Sequence, residues 1–396
     1  MTTSAPPAPT ARNRIDRFFE ISARGSTIGQ EIRGGFATFF TMAYIVVLNA
    51  LILGGGTDGE GNRLAIVAVS SATALVAGIM TILMGVVGRF PLALAAGLGV
   101  NAMVSVEIAP QMTWADAMGL VVIEGVIITI LVLTGLRTAI FKAVPTQLKT
   151  AIGVGIGLFL TVIGLVDAGF VRRVPDVANT TVPVGLGIGG KLISWPTLVF
   201  AVGLIATFIM VARRVKGAIL IGIVGSTVFA IIVQAIAKLP AQGGPGGDPK
   251  GWSLNIPQWP EKFIGLPDLS LLGRFNVLGS WQRAGWLVAL MFVFTLLLTD
   301  FFATMGTMVA VGQEANLLDA SGTPPRTREI LLVDSIAAAA GGAASVSSNT
   351  SYIESAAGVA EGARTGFANL VTGGLFLVAM FFAPLVQIVP FEAAST

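Results

Sequence analysis

The chain has 396 residues, 54% of them hydrophobic and 11% charged, with a formal net charge of +3 and a mean hydropathy of +0.84. So few charges cannot cover a soluble protein of this length, and the composition leaves a polytopic membrane protein. With no Cys and no His, disulfides, thiolate nucleophiles, Cys-ligated metals, catalytic triads and histidine proton relays are all excluded. The small basic excess gives no hint of nucleic-acid binding.

Residues 1–33 are polar and Arg-rich, with no apolar core. They read as a cytoplasmic tail and a juxtamembrane helix rather than a signal peptide. Apolar runs long enough to cross a hydrocarbon core of roughly 30 Å follow at 34–53, 64–88, 117–136, 151–170, 193–212, 217–237, 286–311 and 366–388, with a shorter one at 329–344. Two more segments are only partly apolar: 92–110 (LALAAGLGVNAMVSVEIAP) and 345–362 (SVSSNTSYIESAAGVAEG). Counting both as crossings gives eleven spans.

Charge placement supports that count. With the N-terminus inside, the cytoplasmic segments collect Arg89, Arg137, Lys142, Lys149, Arg213, Arg214, Lys216, Arg326, Arg328 and Arg364. The short outer loops hold only Arg63, Arg172, Arg173 and Lys191, as the positive-inside rule requires. Removing either weak segment inverts the bias after it. The same topology puts all six tryptophans at or beyond the outer interface, where amphipathic rings settle.

The weak spans are the third and the tenth, seven apart. That spacing predicts an inverted seven-plus-seven repeat, and matching broken segments in two halves point to a binding site. The expected divisions are 34–237 (first repeat, spans one to seven), 238–285 (long outer loop) and 286–396 (incomplete second repeat, spans eight to eleven).

Charges at bilayer depth cost at least about 2.5–3.5 kcal/mol, so each needs a reason. Glu354 lies in the tenth span after Asn349, Thr350 and Ser351; Asp300 lies mid-span beside Thr299 and near Thr304. Asn101 sits in the other broken segment, as either a ligand or helix-to-helix glue. Glu124 lies mid-helix, Asp167 near an outer end and Asp334 near an inner one. These three read as structural, with partial solvation of the last two. Asp116 follows Thr113 in a Thr-x-x-Asp pattern suited to a helix N-cap. A carboxylate in a low-dielectric pocket can bind and release a proton near neutral pH and accept hydrogen bonds from a flat polar solute. Without histidine, Asp300 and Glu354 must do this.

The stretches 35-GFATFFTMAYIVVLNALIL-53, 97-GLGVNAM-103, 300-DFFATMGT-307, 317-LLDASG-322 and 349-NTSYIESAAGVAEGARTG-366 resemble, in order, those of the AzgA-type purine permeases. This is a branch of the nucleobase transporters with the uracil-permease fold. The resemblance implies an all-α fold of fourteen spans in two inverted repeats, with a core and a gate domain and with spans three and ten broken. It further implies proton-coupled uptake of adenine, guanine or hypoxanthine across the plasma membrane by a protein that is not an enzyme and uses no cofactor. Its partners would be a purine nucleobase, a proton and the lipid bilayer, with a homodimer as one candidate assembly. Carried over by position, Gly99 and Asn101 bind substrate from the third span, Asp300 from the eighth and Glu354 from the tenth, with Asp300 and Glu354 coupling the proton. Two departures stand out. The eighth-span pattern usually carries a second acid where this chain has Ala303, and this chain ends three spans short of the fourteen.

Other readings make different demands. An anion carrier of the same fold, of the sulfate or bicarbonate type, would use half-helix N-termini, which two acids at the site oppose. An intramembrane aspartyl protease needs a close acid pair in helical motifs that this chain lacks. A non-transporting homologue stays open on Ala303 and the shortened second repeat.

Overall fold

A computed structural model describes residues 14–137, single positions and short runs between 154 and 173, and 184–188, 190–215, 217–242, 248–253, 255–260, 262–319 and 322–396. The tail before Arg14, and most of the expected span 151–170 with Asp167, lie outside the described residues. In chain order the elements are α1 (Arg14–Phe19), α2 (Ile28–Met42), α3 (Tyr44–Gly55), α4 (Ile66–Leu83), β1 (Leu94–Ala96), α5 (Leu98–Met103) and α6 (Trp114–Leu133). There follow the hairpin β2 (Val171–Arg173) and β3 (Val184–Leu186), α7 (Trp195–Ala212), α8 (Ala218–Ala237), α9 (Gly279–Arg283), α10 (Trp286–Glu314) and α11 (Thr327–Ala343). The chain closes with β4 (Asn349–Ser351), α12 (Ser355–Ala360), α13 (Phe367–Ala379) and α14 (Phe391–Ala394).

Among the described residues, seven helical stretches are long and apolar enough to cross a membrane: Ile28–Gly55, Ile66–Gly88, Trp114–Leu133, Trp195–Ala212, Ala218–Ala237, Trp286–Glu314 and Phe367–Ile388. They fall on the first, second, fourth, sixth, seventh, eighth and eleventh expected spans, and the 17-residue α11 is the ninth. Local chemistry sets several starts. Thr27, Thr113 and Ser194 each accept a backbone N–H from three residues ahead, the last before a Pro in the first turn.

The third and tenth spans are broken as the sequence predicts. Each begins as a three-residue strand and turns into a short helix: β1 into α5, β4 into α12. The strands pair antiparallel, Leu94 with Ser351, Ala95 with Thr350 and Ala96 with Asn349. Extended backbone at bilayer depth must find every partner inside the protein. Side chains complete what this short ladder leaves open. The Thr81 hydroxyl both accepts from Leu94 N and donates to Leu94 O, each at 3.0 Å. Asn369 Nδ2 donates to the Phe90 and Leu92 carbonyls at 2.9 Å, and Ser355 Oγ accepts from Ala93 N at 2.9 Å.

Small residues bring the helices around this crossing into backbone contact. In α4 and the turn after it, Gly78 and Gly85 meet Gly373 and Gly366 at α13. A Cβ at Gly85 would lie 2.4 Å from the Gly366 carbonyl, and one at Gly373 2.5 Å from that of Gly78. Gly125 of α6 meets α11 likewise, with a Cβ there 2.3 Å from Ala339 N. The two most extensive helix contacts are therefore second span on eleventh and fourth on ninth. These pairs exchange when the two halves of the chain are exchanged, the relation an inverted repeat demands. Helices α7 and α8 instead pair with each other and with α14, and α8 touches the remainder through α2 and α3.

Two details depart from expectation. Trp195, Trp259 and Trp286 are exposed, but Trp114 and Trp252 are buried, their indole N–H groups donating to Asn62 O (3.1 Å) and Gln234 Oε1 (2.8 Å). Each ties a loop to a helix. Glu31, unmarked in the sequence because it opens an apolar span, is fully buried. Its carboxylate accepts from Arg364 N (2.8 Å), Thr365 N and Ala368 N (both 3.3 Å), capping the start of α13. Glu31→Ala is expected to cost about 3 kcal/mol, because buried donors lose a charged acceptor. An unchanged melting temperature of the purified protein in detergent would refute this role.

Candidate functional site

Where the two broken spans cross, a cavity of about 220 Å³ opens. Its walls are Gly97 to Val100 at the start of α5, Thr350 to Glu354 ahead of α12, Thr299, Ala303 and Thr307 of α10, and Tyr44. Strand followed by helix in both halves is what brings the two helix starts to one place. At α12 the first-turn N–H groups of Ser355, Ala356 and Ala357 are taken by the carbonyls of Tyr352, Ile353 and Glu354. Those of Leu98, Gly99 and Val100 in α5 have no partner within their helix, so the start of α5 is what offers backbone donors to a solute.

Glu354 is the charged group of this cavity. Its Oε1 accepts from Tyr44 Oη at 2.6 Å, while Oε2 is buried with no partner. The chain has only two tyrosines, and both line the cavity; Tyr352 Oη donates to the Ala96 carbonyl on the opposing strand. Glu354 also borders a second cavity of about 430 Å³ with Thr41, Arg214 and Glu361. Glu354 thus stands between the crossing cavity and this second one.

The four residues singled out from sequence divide two and two. Gly99 and Glu354 line the cavity. Asn101 does not: it is fully buried, and its Nδ2 donates to Asn49 Oδ1 at 2.6 Å. Asn49 Nδ2 in turn donates to Thr73 Oγ1 (2.7 Å) and the Val346 carbonyl (3.2 Å). The bond between Asn101 and Asn49 is what helix-to-helix glue makes, while Asn101 Oδ1 is buried without a partner. Asp300 also stays off the cavity wall. Thr299, Ala303 and Thr307 lie one helical turn apart along α10 and line the cavity. Asp300 is not among the lining residues and is fully buried, with neither carboxylate oxygen hydrogen-bonded. The position that faces the cavity is Ala303.

Asp300 has company that the sequence did not group with it. Asp334, expected to be partly solvated, is fully buried and ion-paired to the equally buried Arg137 at 3.0 Å. It also accepts from Thr304 Oγ1 at 2.7 Å and Ser351 Oγ at 2.8 Å. Glu124 on α6 is buried beside Asp300. Arg137 was legible only as one more inner-side charge. The available signal for Tyr44 was the scarcity of tyrosine; nothing local marks Thr41.

A family model described as a permease family, Xan_ur_permease, matches residues 29–395. The guanine/hypoxanthine permease PbuG of Bacillus subtilis is 36% identical over 384 residues, 94% of this chain and 79% of that one. The adenine permease AdeP of Escherichia coli is 31% identical, over 98% of this chain and 79% of its own length. Among solved structures, the transmembrane domain of the cyanobacterial bicarbonate transporter BicA aligns with a TM-score of 0.63 at 17% identity, covering 92% of this chain and 85% of that one. At that identity the likeness concerns the fold.

Proposed function

This chain belongs to the Xan_ur_permease family of permeases, and from that premise we propose that it is a secondary transporter coupling purine nucleobase uptake to proton entry by alternating access. The single observation that carries the substrate class is the cavity at the crossing, where Glu354 keeps one carboxylate oxygen free opposite the start of α5. A carboxylate there accepts from ring N–H or amino groups, and free backbone N–H groups serve ring nitrogens and carbonyl oxygens. A flat, neutral, two-sided hydrogen-bonding solute meets both demands. A sulfate or bicarbonate ion meets only the second and is repelled by the first. The names of the relatives, guanine/hypoxanthine and adenine permeases, agree with that chemistry.

In this reading Glu354, Gly99, Tyr44 and the α10 face Thr299–Ala303–Thr307 contact the base. Asn101 and Asp300 act from behind the wall. The first repeat (34–237) and the second (286–396) contribute one broken span each, joined by the outer loop 238–285. The core carries the crossing, with α7 and α8 on the gate side. The protein sits in the plasma membrane with its N-terminus in the cytoplasm.

The test is uptake of radiolabelled guanine, hypoxanthine, adenine, uracil and sulfate by cells lacking their own purine permeases. The expected result is saturable purine uptake, competed by unlabelled purines and stimulated by external acid. Saturable sulfate uptake without purine uptake would replace this reading with the anion-carrier one.

A further inference from the structure

We infer that Glu124 and Asp300 form a buried proton-binding pair, separate from the nucleobase cavity, and that this pair holds the proton coupled to transport. The inference rests on the proposed proton coupling and names where the proton sits.

The charges facing this pocket come from three packed helical segments. The α6 side supplies Glu124 and, just past its end, Arg137; α10 supplies Asp300; α11 supplies Asp334. The segment 348–351 adds only Ser, Asn and Thr. Arg137 and Asp334 neutralise each other at 3.0 Å, and the two threonine and serine hydroxyls on Asp334 complete its shell. One guanidinium, Arg137, thus faces three carboxylates, Asp334, Glu124 and Asp300, and cannot balance them all. Both side chains are fully buried, and all four of their oxygens lack a hydrogen bond. The Ser348 hydroxyl faces Glu124 and the Thr350 hydroxyl faces Asp300, both just short of a full hydrogen bond. Two neighbouring ionised carboxylates in that setting are strongly unfavourable. In this proposal protons neutralise the pair.

The pocket is closed but connected. Gly125 against Ala339 holds α6 on α11 next to Glu124. From Asp334, a chain of hydroxyls reaches the cavity: Thr304 Oγ1 donates to Asp334, and Thr350 Oγ1 lies 3.0 Å from Thr304 Oγ1. Thr350 and Ser351 line the nucleobase cavity. A base bound there reorients these hydroxyls and changes what the pair experiences. The chemistry is proton binding alone: a carboxyl O–H bond breaks, a carboxylate remains and the proton passes to water.

Infrared titration of the full chain in lipid nanodiscs, in H₂O and D₂O, reads the pair directly. The expected wild-type spectrum at neutral pH has a protonated-carboxyl C=O stretch that downshifts in D₂O. It should persist in Glu354→Gln and lose intensity in Glu124→Gln and in Asp300→Asn. Glu124→Asp, which keeps the acid, should move the band instead of removing it. No such wild-type band, or a band indifferent to every change at 124 and 300, overturns the assignment. In proteoliposomes, Glu124→Gln should still bind guanine by calorimetry but lose pH-driven accumulation; full pH-driven accumulation in that variant overturns it too. A wild type that carries no nucleobase sinks the transport reading instead, while the infrared result still decides the pair.

Discussion

Glu354→Gln is expected to reduce saturable nucleobase uptake about a hundredfold or more in kcat/KM, because a site built to hydrogen-bond its solute loses heavily when one polar partner is changed. The substitution replaces an acceptor-only carboxylate by an amide whose NH₂ opposes the solute's own donors. It also leaves Tyr44 Oη, now 2.6 Å from Oε1, without a charged acceptor. Tyr44→Phe should therefore fall in the same direction by roughly tenfold, the loss of one charge-assisted hydrogen bond. Uptake by both variants is to be measured at equal surface expression. The effects should not add, since both act on one hydrogen-bonded unit. Near-normal uptake in Glu354→Gln would remove the crossing cavity as the transport site.

The second large effect is on the fold. Gly85→Val is expected to cost about 3 kcal/mol or more, because overpacking at a backbone contact cannot be relieved by a side-chain rotation. Its Cβ would stand 2.4 Å from the Gly366 carbonyl, prising α4 from α13 and with them the shelf that carries Thr81 and Asn369 under β1. The companion change Gly374→Ala has nothing within 4 Å of its new methyl and exchanges glycine for a better helix former. Thermal melts in detergent should show Gly85→Val collapsing while Gly374→Ala matches or exceeds the wild type. Equal melting temperatures for the two would refute the seam.

What was legible in the sequence is what the bilayer itself enforces. A crossing needs a long apolar run, so the spans stood out. Backbone at membrane depth needs partners, so two segments too polar to be plain helices marked the crossing. Helix phase was harder. Asp300 and Ala303 are three residues apart and both mid-span, and the sequence does not say which of them lines the cavity. Charge alone gives Asp300 no direction: its buried side chain keeps company with Glu124, Asp334 and Arg137, partners that come from helices distant in sequence. Asn101 carried two readings, and each has its atom: Nδ2 bonds Asn49, as glue does, while Oδ1 is buried without a partner. Burial of Arg137 was invisible because its position near an inner helix end also suits a solvated anchor.

The three-rung ladder between Leu94–Ala96 and Asn349–Ser351 also sets an order of events during synthesis. Its first strand emerges from the ribosome long before its second, and no contact of α5 or Glu354 with the finished site can form until Ser351 has been made. Throughout that interval the third span holds unpaired extended backbone that lipid cannot solvate. The nascent chain must wait with this segment sheltered, by the insertion machinery or by water, and closing so long a loop makes the last step of assembly slow. Folding of this protein is thus expected to finish at the site, late and all at once.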